Sequence, residues 1–206
     1  MELLKIFGLK SIKKSKSIKI IKHFKTHVLV KNLVFRGVYV GRFQPIHIGH
    51  CHAIKYILRE VDELVIIVGS SQHSHTFKNP FTCGERISMI RLALMENNIE
   101  HSKYLVVPIP DVENHAVWVS LVVSMIPRFV RVYSNDPLTK RLFEEAKIEV
   151  KEIPLYEREK YSATEIRRRI LNGEEWQELL PTLVTNFILD IDGVDRIQRL
   201  KVTDNM

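Results

Sequence analysis

Residues 37–50, GVYVGRFQPIHIGH, pass from an apolar run into a turn that the packing of a hydrophobic core does not explain. The run 37–40 is typical of a buried strand, and Pro45 with Gly49 frames the start of a helix. In open parallel sheets, ligands bind at the carboxyl ends of the strands, where the connecting turns lie. We therefore expect a binding site at this turn.

The same alternation of strand and helix continues along the chain. Apolar strands are predicted at 37–43, 64–70, 104–109, 130–134 and 148–153, and helices at 48–60, 84–96, 115–125, 137–146, 163–172 and 182–200. Strands that are apolar throughout and separated by helices are buried on both faces. The pattern predicts an α/β fold: a doubly wound, Rossmann-like, mostly parallel sheet with helices on both faces and C-terminal helices.

Composition limits the class of protein. With 206 residues and 45% hydrophobic content, the chain can bury the core of one domain, and it contains no apolar run of about 18 residues that could span a membrane. Cys51 and Cys83 lie far apart, so we expect two reduced, buried thiols and a soluble, cytoplasmic protein with no membrane partner.

The net charge of +7 is unevenly distributed. Residues 1–35 hold nine lysines against Glu2, a net charge of +8, whereas residues 36–206 hold 22 basic and 23 acidic residues. We therefore divide the chain into a basic N-terminal extension, 1–35, and a main domain, 36–206. Three interpretations of the extension stay open: a disordered arm, a surface-binding amphipathic helix, or sequence upstream of the true translation start.

Two histidines mark the predicted turn. His47 and His50 are three residues apart and share one face of the first helical turn. Gly49 between them has no side chain to keep a ligand from the backbone, and a helix N-terminus offers free N–H groups and partial positive charge. Imidazoles there could donate to phosphate oxygens and stabilise charge that develops on a leaving group.

A second anion site is predicted at 161–169, YSATEIRRR. Ser162 and Glu165 have the spacing of a capping box, which makes Ser162 the N-cap of a helix. Thr164 and Arg167 then face the same way, whereas at least one of the two following arginines is expected on a solvated face. Two helix N-termini, one with histidines and one with an arginine, predict a site for a polyphosphate.

Together the two stretches resemble the HxGH and S-x-T-x-x-R signatures of a nucleotidyltransferase superfamily, and within it the archaeal type of nicotinamide-nucleotide adenylyltransferase. The resemblance runs from about Arg36 to about Leu200 and includes VGSSQHSHTFKNPFTCGER. It implies a nucleotidyltransferase domain at 36–206 that transfers the adenylyl group of ATP to nicotinamide mononucleotide (NMN), giving NAD and pyrophosphate. It further implies Mg²⁺ with the ATP, and a homo-oligomer, which in this family is often a hexamer.

The resemblance also implies roles for single residues. His47, His50 and Arg167 would act in catalysis at the ATP phosphates, and the ATP side would include Gly41, Arg42, Phe43, Gln44, Gly49, Ser162 and Thr164. Trp118 would stack on the nicotinamide ring, beside Asn114 and His115. No residue is predicted to ligate a metal directly, since the nearby histidines lack a cysteine or carboxylate at ligand spacing. Arg86 is expected to serve the structure only.

The chain departs from the family at two places on the NMN side. Where the family has D-I-E-x-N-x-x-W, residues 111–118 read DVENHAVW, which puts His115 at the asparagine position. Where the family has Y-S-G-N-P, the chain has Asn135 and Asp136. If His115 replaces the amide, the apparent affinity for NMN should depend on pH.

Two alternatives stay open at this point. Within the same fold, the acceptor could be another phosphate, such as phosphopantetheine or a cytidylyltransferase substrate, although Trp118 and the FTCGER segment favour NMN. In a different class, the chain could be an RNA-binding module that uses its basic extension. No aromatic residues at the spacing of RNA-binding modules support that class, so we expect no nucleic-acid partner.

Overall fold

The computed structural model describes the backbone of residues 34–203 and the side chains of residues 34–200. Nearly all of the predicted extension, 1–35, lies outside the described residues. The strands in the described part are β1 (Arg36–Gly41), β2 (Glu63–Val68), β3 (Tyr104–Pro108), β4 (Arg131–Tyr133) and β5 (Val150–Lys151). The helices are α1 (Ile48–Ile57), α2 (Cys83–Glu96), α3 (Trp118–Met125), α4 (Pro137–Glu145), α5 (Ala163–Asn172), α6 (Thr182–Asp190) and α7 (Gly193–Thr203), with 3₁₀ turns at His101–Lys103, His115–Val117 and Gln177–Leu179.

The five strands form one parallel sheet in the order β3-β2-β1-β4-β5. The chain runs outward from β1 in one direction and then returns to the other side of β1, so the order reverses between β1 and β4. Val38 at the centre pairs with Val65 of β2 and Val132 of β4. The predicted doubly wound α/β fold is confirmed, and its reversal point lies beside the turn that follows β1.

Each face of the sheet has its own hydrophobic core because successive strand residues point to opposite sides. Leu64, Ile66 and Val68 pack on the side of α1, α2 and the three C-terminal helices. Val65 and Ile67 pack on the other side, against α3 and α4. Helices therefore cover both faces and leave the carboxyl ends of the strands open to ligands.

The prediction of one continuous C-terminal helix over 182–200 is wrong. The structure has two helices there, separated at Ile191 and Asp192. Asp192 has a left-handed backbone, with a φ of 53°, which ends α6. The chain then turns so tightly that a Cβ on Gly193 would lie 2.9 Å from the Ile188 carbonyl oxygen. Only glycine fits this close approach.

Two further expectations concern thiols and membranes. Cys51 and Cys83 are both free; Cys51 is buried as predicted, whereas Cys83, at the start of α2, is only half-buried. Among the helices of the described residues, none is long and apolar enough to cross a membrane.

Candidate functional site

Two cavities lie side by side at the carboxyl ends of β1 and β4. The first has a volume of about 350 Å³ and the second about 420 Å³. Both are within the usual size range of small-molecule sites. Val40, Arg42 and Asp136 line both of them. Adjoining cavities with a shared wall can hold two ligands whose reacting groups meet at that wall.

The histidine pair forms a reciprocal cap at the start of α1. The His50 backbone N–H donates to Nδ1 of His47 at 3.3 Å, and the His47 backbone N–H donates to Nδ1 of His50 at 3.2 Å. The two rings stack with their centroids 3.7 Å apart, and both line the first cavity. Because each Nδ1 accepts a hydrogen bond, each neutral ring carries its proton on Nε2.

Burial keeps both imidazoles neutral. It lowers the pKa of His47, which is only 7% exposed, to about 3. Burial, and then the neighbouring His47, hold the pKa of His50 well below its usual value. The site therefore offers two Nε2–H donors without a positive charge on either ring.

Glycines and an aromatic ring shape the turn around this pair. A Cβ on Gly49 would lie 3.1 Å from Nδ1 of His47 and 3.1 Å from Cβ of Tyr161, closer than ordinary van der Waals contact, so glycine favours the close approach of these two segments. Phe43 has a φ of 50°, and its ring lies 4.9 Å from that of His50. Gly41, which lines the second cavity, would meet the Phe43 ring at 2.7 Å if it carried a Cβ.

Gln44 holds the turn in place through its side chain. Its amide nitrogen donates to the carbonyl oxygen of Phe81 at 3.0 Å, and its amide oxygen accepts from the Phe81 N–H at 3.0 Å. The backbone oxygen of Gln44 in turn accepts from Nη1 of Arg167 at 2.7 Å. The residue lines the first cavity, but its amide is committed to Phe81, so its observed task is to fix the turn.

The second predicted anion site lies at the start of α5, opposite α1 in the first cavity. Ser162 is the N-cap, and its Oγ accepts from the Glu165 N–H at 3.2 Å. The other hydrogen bond of the predicted capping box, from the Ser162 N–H to the Glu165 carboxylate, is absent. That carboxylate instead accepts from Arg168 at 2.8 Å and from Arg169 at 2.9 Å. These arginines hold the pKa of Glu165 at about 2, and Arg168 lies on a solvated face as predicted.

Arg167 is the cation that lines this cavity from α5. Its side chain bonds the Gln44 carbonyl and, through Nη2, Oγ1 of Thr164 at 3.4 Å, and the residue is 5% exposed. Within the described part of the chain it has no carboxylate partner, and its Nε has no acceptor. Burial, with a smaller contribution from Arg42, lowers its pKa to about 10. A buried cation without a counter-ion is well suited to an anionic ligand.

Several lining residues were missed by the sequence analysis. Tyr39, Tyr156, Arg158 and Tyr161 line the first cavity. Asp136, which was noted only as a family departure, caps α4 by accepting from the Thr139 N–H at 2.8 Å and lies in the shared wall. Its signal is the dipeptide Asp-Pro, an N-cap followed by proline at the first helical position. Tyr39 and Tyr161 lie within the two quoted stretches, but no spacing rule assigns them to the cavity, and Tyr156 and Arg158 lie outside both stretches.

Asn135, the other departure at this place, has a structural contact. Its amide donates to the Ile153 carbonyl oxygen at 2.8 Å and accepts from the Ile153 N–H at 2.9 Å. This pair of bonds joins the chain after β4 to the chain after β5, and both residues line the first cavity. The substitution therefore braces the cavity wall.

The residues predicted for the NMN side divide between the second cavity and its surroundings. Trp118 and His115 line this cavity. Trp118 is 8% exposed, its Nε1–H donates to the Pro110 carbonyl oxygen at 3.2 Å, and it packs edge-on to Phe143. Asn114 is not among the residues that line this cavity; its Oδ1 accepts from the Ala116 N–H at 3.0 Å and caps the 3₁₀ turn. Asn114 therefore positions His115 through the backbone.

Among the described residues, no group of three or more histidine, cysteine, aspartate and glutamate side chains could hold a metal ion. His73 lies 3.9 Å from the exposed Asp111, and no third side chain of these types completes a set around them.

The sequence matches a protein family and also individual enzymes. Residues 38–169 match a family described as cytidylyltransferase-like. Over 169 residues the chain is 50% identical to the nicotinamide-nucleotide adenylyltransferase of Methanolobus tindarius, covering 82% of this chain and 96% of that one. It is 46% identical over 168 residues to the enzyme of the same name from Thermococcus kodakarensis, covering 82% and 89%.

The fold matches a solved structure as well. A bifunctional NMN adenylyltransferase/ADP ribose pyrophosphatase from Francisella tularensis, complexed with AMP and a manganese ion, superposes with a TM-score of 0.69. The two sequences are 24% identical; the match covers 84% of this chain and 53% of that chain, so this chain spans about half of its length.

Proposed function

Because the chain belongs to the cytidylyltransferase-like family, and within it to the nicotinamide-nucleotide adenylyltransferases, we propose that it transfers the adenylyl group of ATP to NMN, forming NAD and pyrophosphate. The observation that carries this proposal is the pair of adjoining cavities, of which the first is walled by the starts of α1 and α5. ATP binds in the first cavity and NMN in the second. Their reacting phosphates meet at the shared wall.

The reaction is one in-line displacement. An oxygen of the NMN phosphate forms a bond to the α-phosphorus of ATP, the bond from that phosphorus to the bridging oxygen breaks, and pyrophosphate leaves with the electron pair. No covalent bond to the enzyme forms, so the protein contributes alignment and stabilisation of charge.

The first cavity supplies donors for the departing pyrophosphate. The Nε2–H groups of His47 and His50 donate to phosphate oxygens, because the caps at Nδ1 keep the ring proton on Nε2. Arg167 and Thr164 hold the β- and γ-phosphates together with Ser162 and the free N–H groups of the first turn of α5. Arg42 lines both cavities and has no ion pair within the described residues, which suits it to contact the phosphate that is transferred.

The second cavity accepts the nicotinamide end of NMN. Trp118 offers an aromatic surface in its lining, and His115 offers an imidazole that can hydrogen-bond to the ligand. Recognition here rests on different residues from those that hold ATP, so variants of His115 should change the KM for NMN more than the KM for ATP.

We also propose that Mg²⁺ enters with ATP. Mg²⁺ commonly keeps several waters and binds substrate phosphates with only one or two carboxylates. Asp136, in the shared wall, is the exposed carboxylate available for that purpose. The ion would neutralise phosphate charge. Chelation with EDTA should therefore abolish turnover, and added Mg²⁺ should restore it.

Formation of NAD from ATP, Mg²⁺ and NMN tests the proposal directly. We expect NAD and pyrophosphate in equal amounts, and no adenylylated product when phosphopantetheine replaces NMN. His50→Ala should lower kcat by about 10²–10³-fold, because it removes a donor that acts in the transition state. His101→Ala is the matched control, since His101 is exposed and lies before β3, away from both cavities; it should stay within twofold of the wild type.

Failure would take a specific form. If ATP binds but NMN is not converted, His115 and the 135–136 substitutions have changed the acceptor, and phosphopantetheine or a cytidylyltransferase substrate becomes the candidate. If the chain binds RNA and transfers no adenylyl group, the nucleic-acid alternative replaces the enzyme.

We extend the proposal to the cellular location and the oligomeric state of the chain. Both described cysteines are free thiols, which supports a reducing, cytoplasmic setting. A homo-oligomer, a hexamer by analogy with the family, is expected in solution, and light scattering during gel filtration would measure it.

A further inference from the structure

A buried arginine from α2 joins the ends of β1 and β2. The guanidinium of Arg86 is 0% exposed. It donates to three backbone oxygens: that of Arg42 at 3.0 Å, that of Gly69 at 2.8 Å and that of Ser70 at 3.0 Å. Among the described residues no carboxylate forms an ion pair with it, so its direct partners are backbone carbonyl oxygens.

The two turns that Arg86 holds share an unusual backbone. Phe43 has a φ of 50° and Ser70 a φ of 49°, left-handed conformations that are costly for residues other than glycine. Each of these residues directly follows a carbonyl that Arg86 binds, that of Arg42 or that of Gly69. The guanidinium therefore opposes relaxation of both turns at once.

Peptide geometry sets where the neighbouring donors point. In a trans peptide, the N–H lies on the side opposite the C=O. Since Arg86 draws the carbonyls of Arg42 and Gly69 toward itself, the N–H groups of Phe43 and Ser70 point away from it. Neither N–H has an acceptor within the described part of the chain. Phe43 lines the first cavity, Ser70 the second, and Arg42 both.

On the basis of the proposed adenylyl transfer, we infer that Arg86 is a positioning residue for the reaction. It holds the backbone N–H groups of Phe43 and Ser70, and the turn that carries Arg42, in place to receive the phosphates at the wall between the cavities. Its buried charge adds positive potential there without contact with either substrate. A hydrophobic side chain would leave these three carbonyl oxygens without this donor, but their satisfaction alone does not require a positive charge, because neutral donors could bind them too.

Two variants separate geometry from charge. Arg86→Lys keeps the charge but loses the planar fork that reaches three carbonyls, and Arg86→Met loses both. We expect kcat to fall at least tenfold for Arg86→Lys and further for Arg86→Met, with KM for ATP and NMN changed by less than threefold. The loss falls on kcat because the reacting phosphates become misaligned while Arg167 and the histidine pair still bind ATP.

The control and the readouts use the full chain. Arg91→Met removes an exposed arginine from the same helix and should leave kcat within twofold. Thermal unfolding establishes that each variant is folded at the assay temperature. The ¹⁵N amide resonance of Phe43, recorded with ATP alone, and that of Ser70, recorded with NMN alone, should shift in the wild type, and by less than half as much in Arg86→Lys.

The outcomes distinguish the two proposals. A kcat for folded Arg86→Met within twofold of the wild type would overturn the role of Arg86, as would a wild-type Phe43 amide that does not respond to ATP. If the wild type forms no NAD but the Phe43 amide shifts with ATP and loses that shift in Arg86→Lys, the acceptor proposal fails while the role of Arg86 stands.

Discussion

At the scale of single residues, the site depends on histidines whose two nitrogens have separate tasks. Nδ1 of each ring accepts a backbone N–H of the other residue, and Nε2 keeps the proton. A protonated ring would keep its Nε2–H donor but lose the Nδ1 acceptor, so the cap at the start of α1 depends on the neutral state.

Stability should therefore fall in acid. The pKa of His47 is about 3 in the folded chain, so between about pH 6.5 and that value the unfolded chain binds a proton that the folded chain does not. Lowering the pH stabilises the unfolded state, and His47 alone should cost up to about 2 kcal/mol of unfolding free energy between pH 7 and pH 5.

Urea unfolding at the two pH values measures this cost. His47→Asn keeps an acceptor at the N-cap but does not titrate, so its stability should change less between the two pH values than that of the wild type. His101→Asn, at an exposed position, should behave like the wild type. An unchanged pH dependence in His47→Asn would contradict the prediction.

At the scale of secondary-structure elements, the site depends on how closely α1 approaches the segment before α5. Gly49 is the second residue of α1, and a Cβ at this position would contact both His47 and Tyr161, which line the first cavity. Gly49→Ala should lower the free energy of unfolding by about 1–3 kcal/mol through overpacking, partly offset by up to about 1 kcal/mol of helix propensity. Displacement of the His47 ring should lower kcat at least tenfold.

Gly84 provides the matched control for this change. It is also the second residue of its helix, α2, but a Cβ there would meet nothing within 4 Å. Gly84→Ala should leave kcat unchanged and be neutral or stabilising by up to about 1 kcal/mol. Chemical unfolding and steady-state rates compare the pair, and equal behaviour of the two variants would refute the steric explanation.

At the scale of the whole molecule, the extension should be dispensable for catalysis. The compact unit begins at Phe35, whose N–H donates to Asp62 at 2.9 Å and whose carbonyl oxygen accepts from the Asp62 N–H at 2.8 Å. A chain that starts at Val34 keeps these bonds and loses the +8 charge. Its kcat and KM should stay within twofold of those of the full chain.

Gel-shift titration with RNA, in parallel with the NAD assay, measures both properties of this truncated chain. RNA binding by the full chain that disappears on truncation, together with unchanged turnover, would assign nucleic-acid contact to the extension alone. Loss of turnover on truncation would contradict the prediction.

Much of this architecture can be predicted because its signals are local. The apolar strands and the helix starts at His47 and Ser162 depend on residues within a few positions of one another. Contacts that close the site do not: Gln44 binds Phe81 across 37 positions, Arg86 binds Arg42 across 44, and Arg167 binds Gln44 across 123. Spacing rules say nothing about such pairs, so the contacts of Arg86 and Gln44 could not be predicted from the sequence.

The wall shared by the two cavities has a consequence for how turnover is regulated. NAD contains both the adenylyl and the nicotinamide halves, so under the proposed reaction it occupies both cavities when it forms, whereas pyrophosphate occupies only the first. Accumulated NAD should therefore exclude either substrate from the free enzyme, and pyrophosphate should exclude ATP alone. The geometry of the pocket thus links synthesis of the dinucleotide to feedback by its own concentration.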